Sequence, residues 1–495
     1  MQPIKNVIIV GGGTAGWIAA AVMSASLPRE SVSITVVDSS EIGTVGVGEA
    51  TIPPIRQLNY MLGLDEDEVM RRTNATFKLG IEFVNWGALG DRYFHPFGSH
   101  GRDISGIQFH HHWLRTREGA LEDYSIVTAA AYAGRFARPT KDSRDPLSKM
   151  SYAFHFDAAM YADVLREVAL KNGVTHVDAR IADVTLDAET GFVDRLQLSD
   201  GETLQADLFI DCSGFRGLLI EDALKTGYVD WSHWLPMDRA IAVPSALSGP
   251  TQPYTRATAG TAGWQWRIPL QHRVGNGHVY SSQFMSDDDA EARLLANLDG
   301  PAIAMPRRLR FTTGRRRLSW NKNVIALGLA SGFIEPLEST SIHLIQRGVS
   351  ILMALFPASG IVQAEVDLYN RLMTEQYEEV RDFVILHYKQ TQRDDTPFWR
   401  QVRDMSVPES LAERMAVFAN RGRLILTSGE LFREKSWSTV MLGQGLWPQG
   451  YDPQADLKPE ADVRNALRSL KSLIISRANT LPSHDDFLRE HRAAS

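Results

Sequence analysis

Gly11-Gly12-Gly13-Thr14-Ala15-Gly16 limits this chain more than any other stretch. It lies between an apolar run, Asn6 to Val10, and a helical pattern, Ala15 to Ser26; a second β-branched run, Ser33 to Asp38, follows. This is G-x-G-x-x-G in a strand, turn, helix, strand context, where each glycine has a job. Gly11 permits the tight turn, Gly13 lets a pyrophosphate reach the backbone, and Gly16 allows close helix packing. Thr14 and Ala15 open a helix whose N–H groups face the anion. Asp38 falls 22 residues after Gly16, where an acid binds ribose. An ordinary glycine turn would not require strand, helix and acid together. The motif leaves FAD and NAD equally open.

The remainder of the 495 residues reads as a large α/β protein, with length alone suggesting roughly three domain-sized units. The net charge of −7, without long basic runs, gives no reason to expect nucleic acid or an anionic membrane as partner. The single cysteine, Cys212, fits a reducing, cytoplasmic setting. Val7 to Val10 is too short for a signal peptide, and the sequence has no apolar run long enough to span a membrane. Asp157 to Asn172 predicts a helix. Thr175 to Leu186, Phe192 to Leu198 and Thr203 to Ile210 then predict an antiparallel meander. Past Pro357 the pattern turns helical, over Glu365 to Lys389, Ser406 to Asn420 and Pro459 to Arg477. A boundary near Gly360 divides a mixed α/β body, residues 1–360, from a mostly helical region, residues 361–495.

Three further glycine-rich pieces favour FAD, since an extended cofactor needs several loops: Gly46-Val47-Gly48-Glu49-Ala50-Thr51, Asp211-Cys212-Ser213-Gly214 and Gly328-Leu329-Ala330-Ser331-Gly332. Each alone reads equally well as a structural turn. Phe333 to Ile342 leads into an apolar helix running to Phe356. Ser339, Thr340 and Ser341 supply capping chemistry, with Glu338 just outside. Such a helix start offers N–H groups to an anion, although plain capping is the commoner use. Lys78 lies in an alternating run, Thr76 to Val84, and by pattern is a solvated strand lysine. Trp264 and Trp266, two apart on a strand, share one side and either wall a cavity or fill a core.

Taken together these residues resemble the flavin-dependent halogenases of the tryptophan halogenase family. Trp264-x-Trp266-x-Ile268-Pro269 matches that family's W-x-W-x-I-P motif, and Phe333-x-x-Pro336-x-x-Ser339 its catalytic segment. The resemblance implies an α/β fold, with an FAD-binding Rossmann-type body like that of flavin monooxygenases and a mostly helical C-terminal part. It makes Lys78 and Glu338 catalytic and implies halide binding by Thr340 and Ser341. Gly11, Gly13, Thr14, Ala15, Gly16, Asp38, Gly48, Glu49, Ala50, Thr51, Gly328 and Leu337 would bind FAD. Trp264, Trp266, Ile268, Pro269 and Ser339 would line a tunnel from flavin to substrate. His95, Pro96 and Phe97, with Trp437 or Trp447, would hold an aromatic substrate. The implied activity is oxidative: FADH2 from a separate reductase, O2 and bromide or chloride yield hypohalous acid, which Lys78 delivers to indole or an indole derivative. No metal is implied, and a homodimer stays open.

Two departures bear on specificity. The family usually has glycine where this chain has Ser341; a positive φ there would strain serine and reshape the halide pocket. The adjacent tyrosines that tryptophan halogenases tend to carry near Trp437-Ser438 are absent, which favours indole over free tryptophan. An FAD-dependent aromatic hydroxylase is the rival reading. It is disfavoured by Leu329, where such enzymes usually carry aspartate, and by the paired tryptophans. A flavin-binding regulator without turnover is disfavoured by the joint presence of Lys78 and Glu338.

Overall fold

The computed structural model describes residues 3–41, 48–427 and 429–493. Gly46 and Val47 lie outside the described residues. Strand β1 (Asn6–Val10), helix α1 (Thr14–Ser26) and strand β2 (Ser33–Asp38) form the expected opening unit, with β1 and β2 parallel. β1 is central in a six-stranded sheet, flanked by β2 and by Leu208–Asp211. Thr175–Asp178 and Val324–Ala326 lie parallel further out. This is the doubly wound arrangement expected of the body.

The meander differs from expectation. Only Ile181–Leu186, Val193–Leu198 and Thr203–Gln205 make it. Its outer segments break, and Thr175–Asp178 and Leu208–Asp211 join the parallel sheet instead. The breaks are held by hydrogen bonds that alternation does not encode: Ala179 N–H to the Asp38 carbonyl, and the Lys5 and Asn6 N–H groups to the Asp207 carboxylate.

Thr76 to Val84 is likewise not one strand. Thr76–Lys78 enters a three-stranded sheet with Gly48–Ala50 and Ala153–Asp157, whereas Gly80–Val84 enters a seven-stranded sheet between Arg92–Pro96 and Thr255–Ala259. Both faces of the run are inside, so alternation loses its meaning and Lys78 is fully buried. Gly263–Pro269 runs through the large sheet.

Past residue 360 the regular elements among the described residues are helices, including Gln363–Lys389, Glu409–Arg421, Glu434–Gly443 and Glu460–Asn479. One apolar core contains residues from both sides of Gly360: Phe77 and Phe136 stack at 3.9 Å, and Phe487 packs edge-on against both.

Candidate active site

The dinucleotide motif has the geometry its spacing implies. Gly11 has φ +108°, and a Cβ there would overlap the Cys212 carbonyl. A Cβ on Gly16 would overlap the Gly11 carbonyl, so the first turn of α1 packs directly on the loop. Around Gly13 the space is open, and α1 begins with neither a side-chain cap nor an acidic residue in its first turn. Open room before free helical N–H groups fits a pyrophosphate. Gly328, φ +61°, turns a loop from far along the chain onto Ala15 of the same helix start. Burial pushes the Glu49 carboxyl up to about 7. The Asp211 motif is structural, since its carboxylate accepts from Ser213, Leu219 and Ile220 and fixes the turn it ends.

The small sheet brings the second glycine-rich segment to Lys78, because both Gly48–Ala50 and Thr76–Lys78 pair with Ala153–Asp157. The Lys78 amine donates to the Thr51 carbonyl at 3.0 Å and to Ser339 Oγ at 2.7 Å, and lies 5.0 Å from the Phe97 ring centroid. Burial lowers its pKa to about 7, against the opposing pull of Glu338.

Pro336–Glu338 forms a short 3-10 turn, then Ser339 adopts φ 58°, ψ 39° before helix Ser341–Ala354. The positive φ belongs to Ser339. Ser341 opens the helix and has none, so the strain expected from serine at 341 does not arise. Thr340 precedes the helix without a side-chain cap bond, which leaves the first-turn N–H groups facing forward. Leu337 is buried.

Glu338 is 1% exposed and held by two histidines. His95 Nδ1 lies 3.0 and 3.1 Å from its two oxygens, and His387 Nε2 lies 2.9 Å from Oε1. His387 Nδ1 faces the Phe383 carbonyl at 2.8 Å and must carry hydrogen, so a proton on Nε2 would be shared with the carboxylate. Burial raises the Glu338 pKa, but the two histidines together outweigh it and hold the carboxyl at about 2.

His387 is not legible as a site residue from the sequence. Neither are Phe383, one turn earlier on the same helix face, and Phe432. Phe383 stacks on Phe432 at 3.8 Å, meets Trp437 edge-on at 4.8 Å and lies 5.6 Å from His95. The available signal is a lone histidine in the apolar run Phe383-Val384-Ile385-Leu386-His387. Trp437 is buried, with its indole N–H on the Phe432 carbonyl. Trp447 is not brought to this group: it is 49% exposed, stacks on Trp113 and lies under Arg117. Pro96 is buried beside His95 on its strand.

Trp264 and Trp266 do share one side of their strand, with centroids 6.1 Å apart. The Trp264 indole donates to Glu335 Oε2 at 3.2 Å, and burial raises that carboxyl to about 7. Ile268 packs with Ala50 and Leu270, and the Pro269 carbonyl accepts from Thr76 on the lysine strand. The W-x-W-x-I-P strand is thereby tied both to the Gly48–Ala50 strand and to the strand of Lys78.

The tryptophan halogenase family profile matches residues 6–460. The chain belongs to the tryptophan halogenase family. It is 34% identical over 518 residues to 7-chloro-L-tryptophan 6-halogenase KtzR of Kutzneria sp. (strain 744), covering 98% of this chain and 99% of that protein. Tryptophan 7-halogenase RebH of Lentzea aerocolonigenes is 33% identical, with 98% of each covered. The solved structure of BrvH, a flavin-dependent halogenase from Brevundimonas sp. BAL3, superposes with a TM-score of 0.95 at 45% identity and covers 99% of each chain. The chain is therefore an enzyme of the flavin-dependent halogenase class, with the α/β fold of those structures and helices in its C-terminal part.

Proposed function

We propose that this halogenase acts on indole or a simply substituted indole and passes its halogen through Lys78. The observation that carries the reading is the bonding of a buried amine to Ser339, the residue next to a buried carboxylate. FAD would rest on Gly11, Gly13, Thr14, Ala15 and Gly16, with Asp38 at the ribose and Gly48, Glu49, Ala50, Thr51, Gly328 and Leu337 around the remainder. Reduced FAD, supplied by a separate reductase, provides with O2 the oxidising power that turns halide into hypohalous acid. Thr340 and Ser341 would hold the halide on the first N–H groups of their helix, and Trp264, Trp266, Ile268, Pro269 and Ser339 would line the way to Lys78.

A pKa near 7 leaves much of the Lys78 amine neutral and nucleophilic at working pH. The amine attacks the halogen of hypohalous acid; an N–X bond forms, the O–X bond breaks and water leaves. The ring carbon then takes the halogen as N–X breaks, and the ring proton returns to the nitrogen. Glu338 stays ionised and opposes the positive charge that develops on the ring. Its low pKa suits charge stabilisation more than proton storage, and the ring cation is acidic enough to need only a weak base. His95 holds that carboxylate by an edge while Phe97, Phe383, Phe432 and Trp437 offer aromatic surface.

Bromide should serve at least as well as chloride because it is the easier halide to oxidise; Ser341, unstrained, adds nothing to that preference. One assay tests the proposal. The protein is incubated with FAD, a flavin reductase, NADH, equal bromide and chloride, and a panel of indoles, and the products are read by mass spectrometry. Brominated indole is expected. Hydroxylated product would favour the monooxygenase reading, mainly chlorinated product would overturn the bromide preference, and rapid NADH consumption without the reductase would overturn the two-component arrangement.

A further inference from the structure

We infer that Arg166 and His176 set the affinity of the cofactor site by holding Asp38, a role that rests on the FAD reading above. His176 pairs with Val36 on the strand beside β2, so its side chain shares a face with Asp38 two residues on. Its Nε2 lies 2.5 Å from Asp38 Oδ1, and its Nδ1 lies 3.2 Å from Arg166 Nη2. A guanidinium has only donors, so Nδ1 must accept. That places the imidazole hydrogen on Nε2, where it donates to Asp38.

The ring is fixed on its other side by Trp17 of α1, edge-on at 5.5 Å, and Arg166 lies 5.7 Å over the same indole. Among the described residues the relay meets Asp38 at Oδ1. Oδ2 points at the glycine loop, where a Cβ on Gly12 would overlap it. Gly12 is glycine for this reason, since its φ is not positive. That oxygen, beside the glycine loop, faces the place where the adenosine ribose of a dinucleotide would enter. A carboxylate released from His176 could turn and hydrate, and would have to be ordered again on each binding event. Arg166 and His176 are positioning residues.

Calorimetric titration of the full-length protein with FAD, and with ADP as a probe of the adenosine half alone, tests this. His176→Leu should weaken both ligands about tenfold, as expected for loss of a charge-assisted hydrogen bond. His176→Gln, which keeps an N–H donor near the position of Nε2, should recover most of the affinity. Arg166→Met should weaken both ligands less than His176→Leu. His176→Leu combined with Asp38→Asn should be no weaker than Asp38→Asn alone. Unchanged FAD affinity in both His176→Leu and Arg166→Met, or losses that add fully to that of Asp38→Asn, would overturn the relay while leaving the FAD site standing. Should His176→Leu not fold, Arg166→Met and His176→Gln decide. A wild-type chain that bound neither ligand would overturn the cofactor reading and the relay with it.

Discussion

Lys78 Nζ and Ser339 Oγ are hydrogen-bonded at 2.7 Å, which joins an amine from the N-terminal quarter of the chain to the residue after Glu338. Ser339 sits in the left-handed region at φ 58°, uncommon for serine, and the bond to Lys78 helps keep it there. The contact thus ties the amine to the residue beside the carboxylate, which the two histidines hold from the other side.

Removing that contact should loosen the amine without deleting it. Ser339→Ala should lower kcat for indole bromination by about tenfold while KM for indole changes little, because the lost interaction serves chemistry more than binding. Steady-state kinetics under a saturating reductase supply measure it; a change confined to KM would contradict the arrangement.

The depressed Lys78 pKa has two consequences. If the neutral amine takes up the halogen, kcat should rise with pH through about 7 and level off, and Glu338, at about 2, should add no limb in that range. A rate that fell across the same window would assign the ammonium as a hydrogen-bond donor instead. For stability, a folded pKa of about 7 lies below the ordinary value of 10.5, so the unfolded chain binds the proton more tightly. The lysine therefore destabilises the fold, fully below pH 7 and not at all above 10.5. Lys78→Met should raise the melting temperature at pH 7 by at least ~1 °C while abolishing halogenation, the pattern expected where function costs stability. Scanning calorimetry at pH 7 checks it, and the gain should shrink towards pH 10.

Glu338→Gln removes the charge opposite the developing ring cation but keeps the shape. Bromination should slow by about a hundredfold or more, with hypohalous acid still formed and detectable by an added trap. Full activity in this variant would remove Glu338 from the chemistry.

Indole should be preferred to free tryptophan. His95 and Phe97, with Phe383, Phe432 and Trp437 nearby, provide for a flat ring. Near Trp437, where an amino-acid group would be held, the Ser438 hydroxyl bonds the Lys435 carbonyl, and further along the Tyr451 hydroxyl bonds Asp456 and Trp447 stacks on Trp113 at the surface. A zwitterion without partners loses hydration at a cost of several kcal/mol. Comparing kcat/KM for both substrates decides; a clear preference for tryptophan would show that a handle exists.

The glycine turn is legible in the sequence because part of its geometry is local: a Cβ on Gly16 would overlap the Gly11 carbonyl five residues back, and the space at Gly13 is open, whereas the carbonyl that Gly11 must clear belongs to Cys212 and is not visible in the motif. Lys78 shows where pattern reading stops. Alternation assumes one wet face, and Thr76 to Val84 has both faces inside because it crosses between two sheets. His387 and Phe432 stay hidden because they reach Glu338 and Phe383 from helices and loops far along the chain, contacts that local periodicity does not encode. Asp38 is legible as the acid ending β2, but its partner His176 is 138 residues away.

Whether halogen reaches an aromatic carbon through Lys78 is decided by mass spectrometry of reactions run side by side with wild type and Lys78→Ala. Each contains FAD, a flavin reductase, NADH, bromide and indole, with flavin binding and peroxide release followed in parallel. Wild type should give bromoindole, marked by the bromine isotope doublet, and Lys78→Ala none, although flavin binding and peroxide release persist. Undiminished bromoindole from Lys78→Ala, or hydroxyindole in place of bromoindole from wild type, would contradict that route.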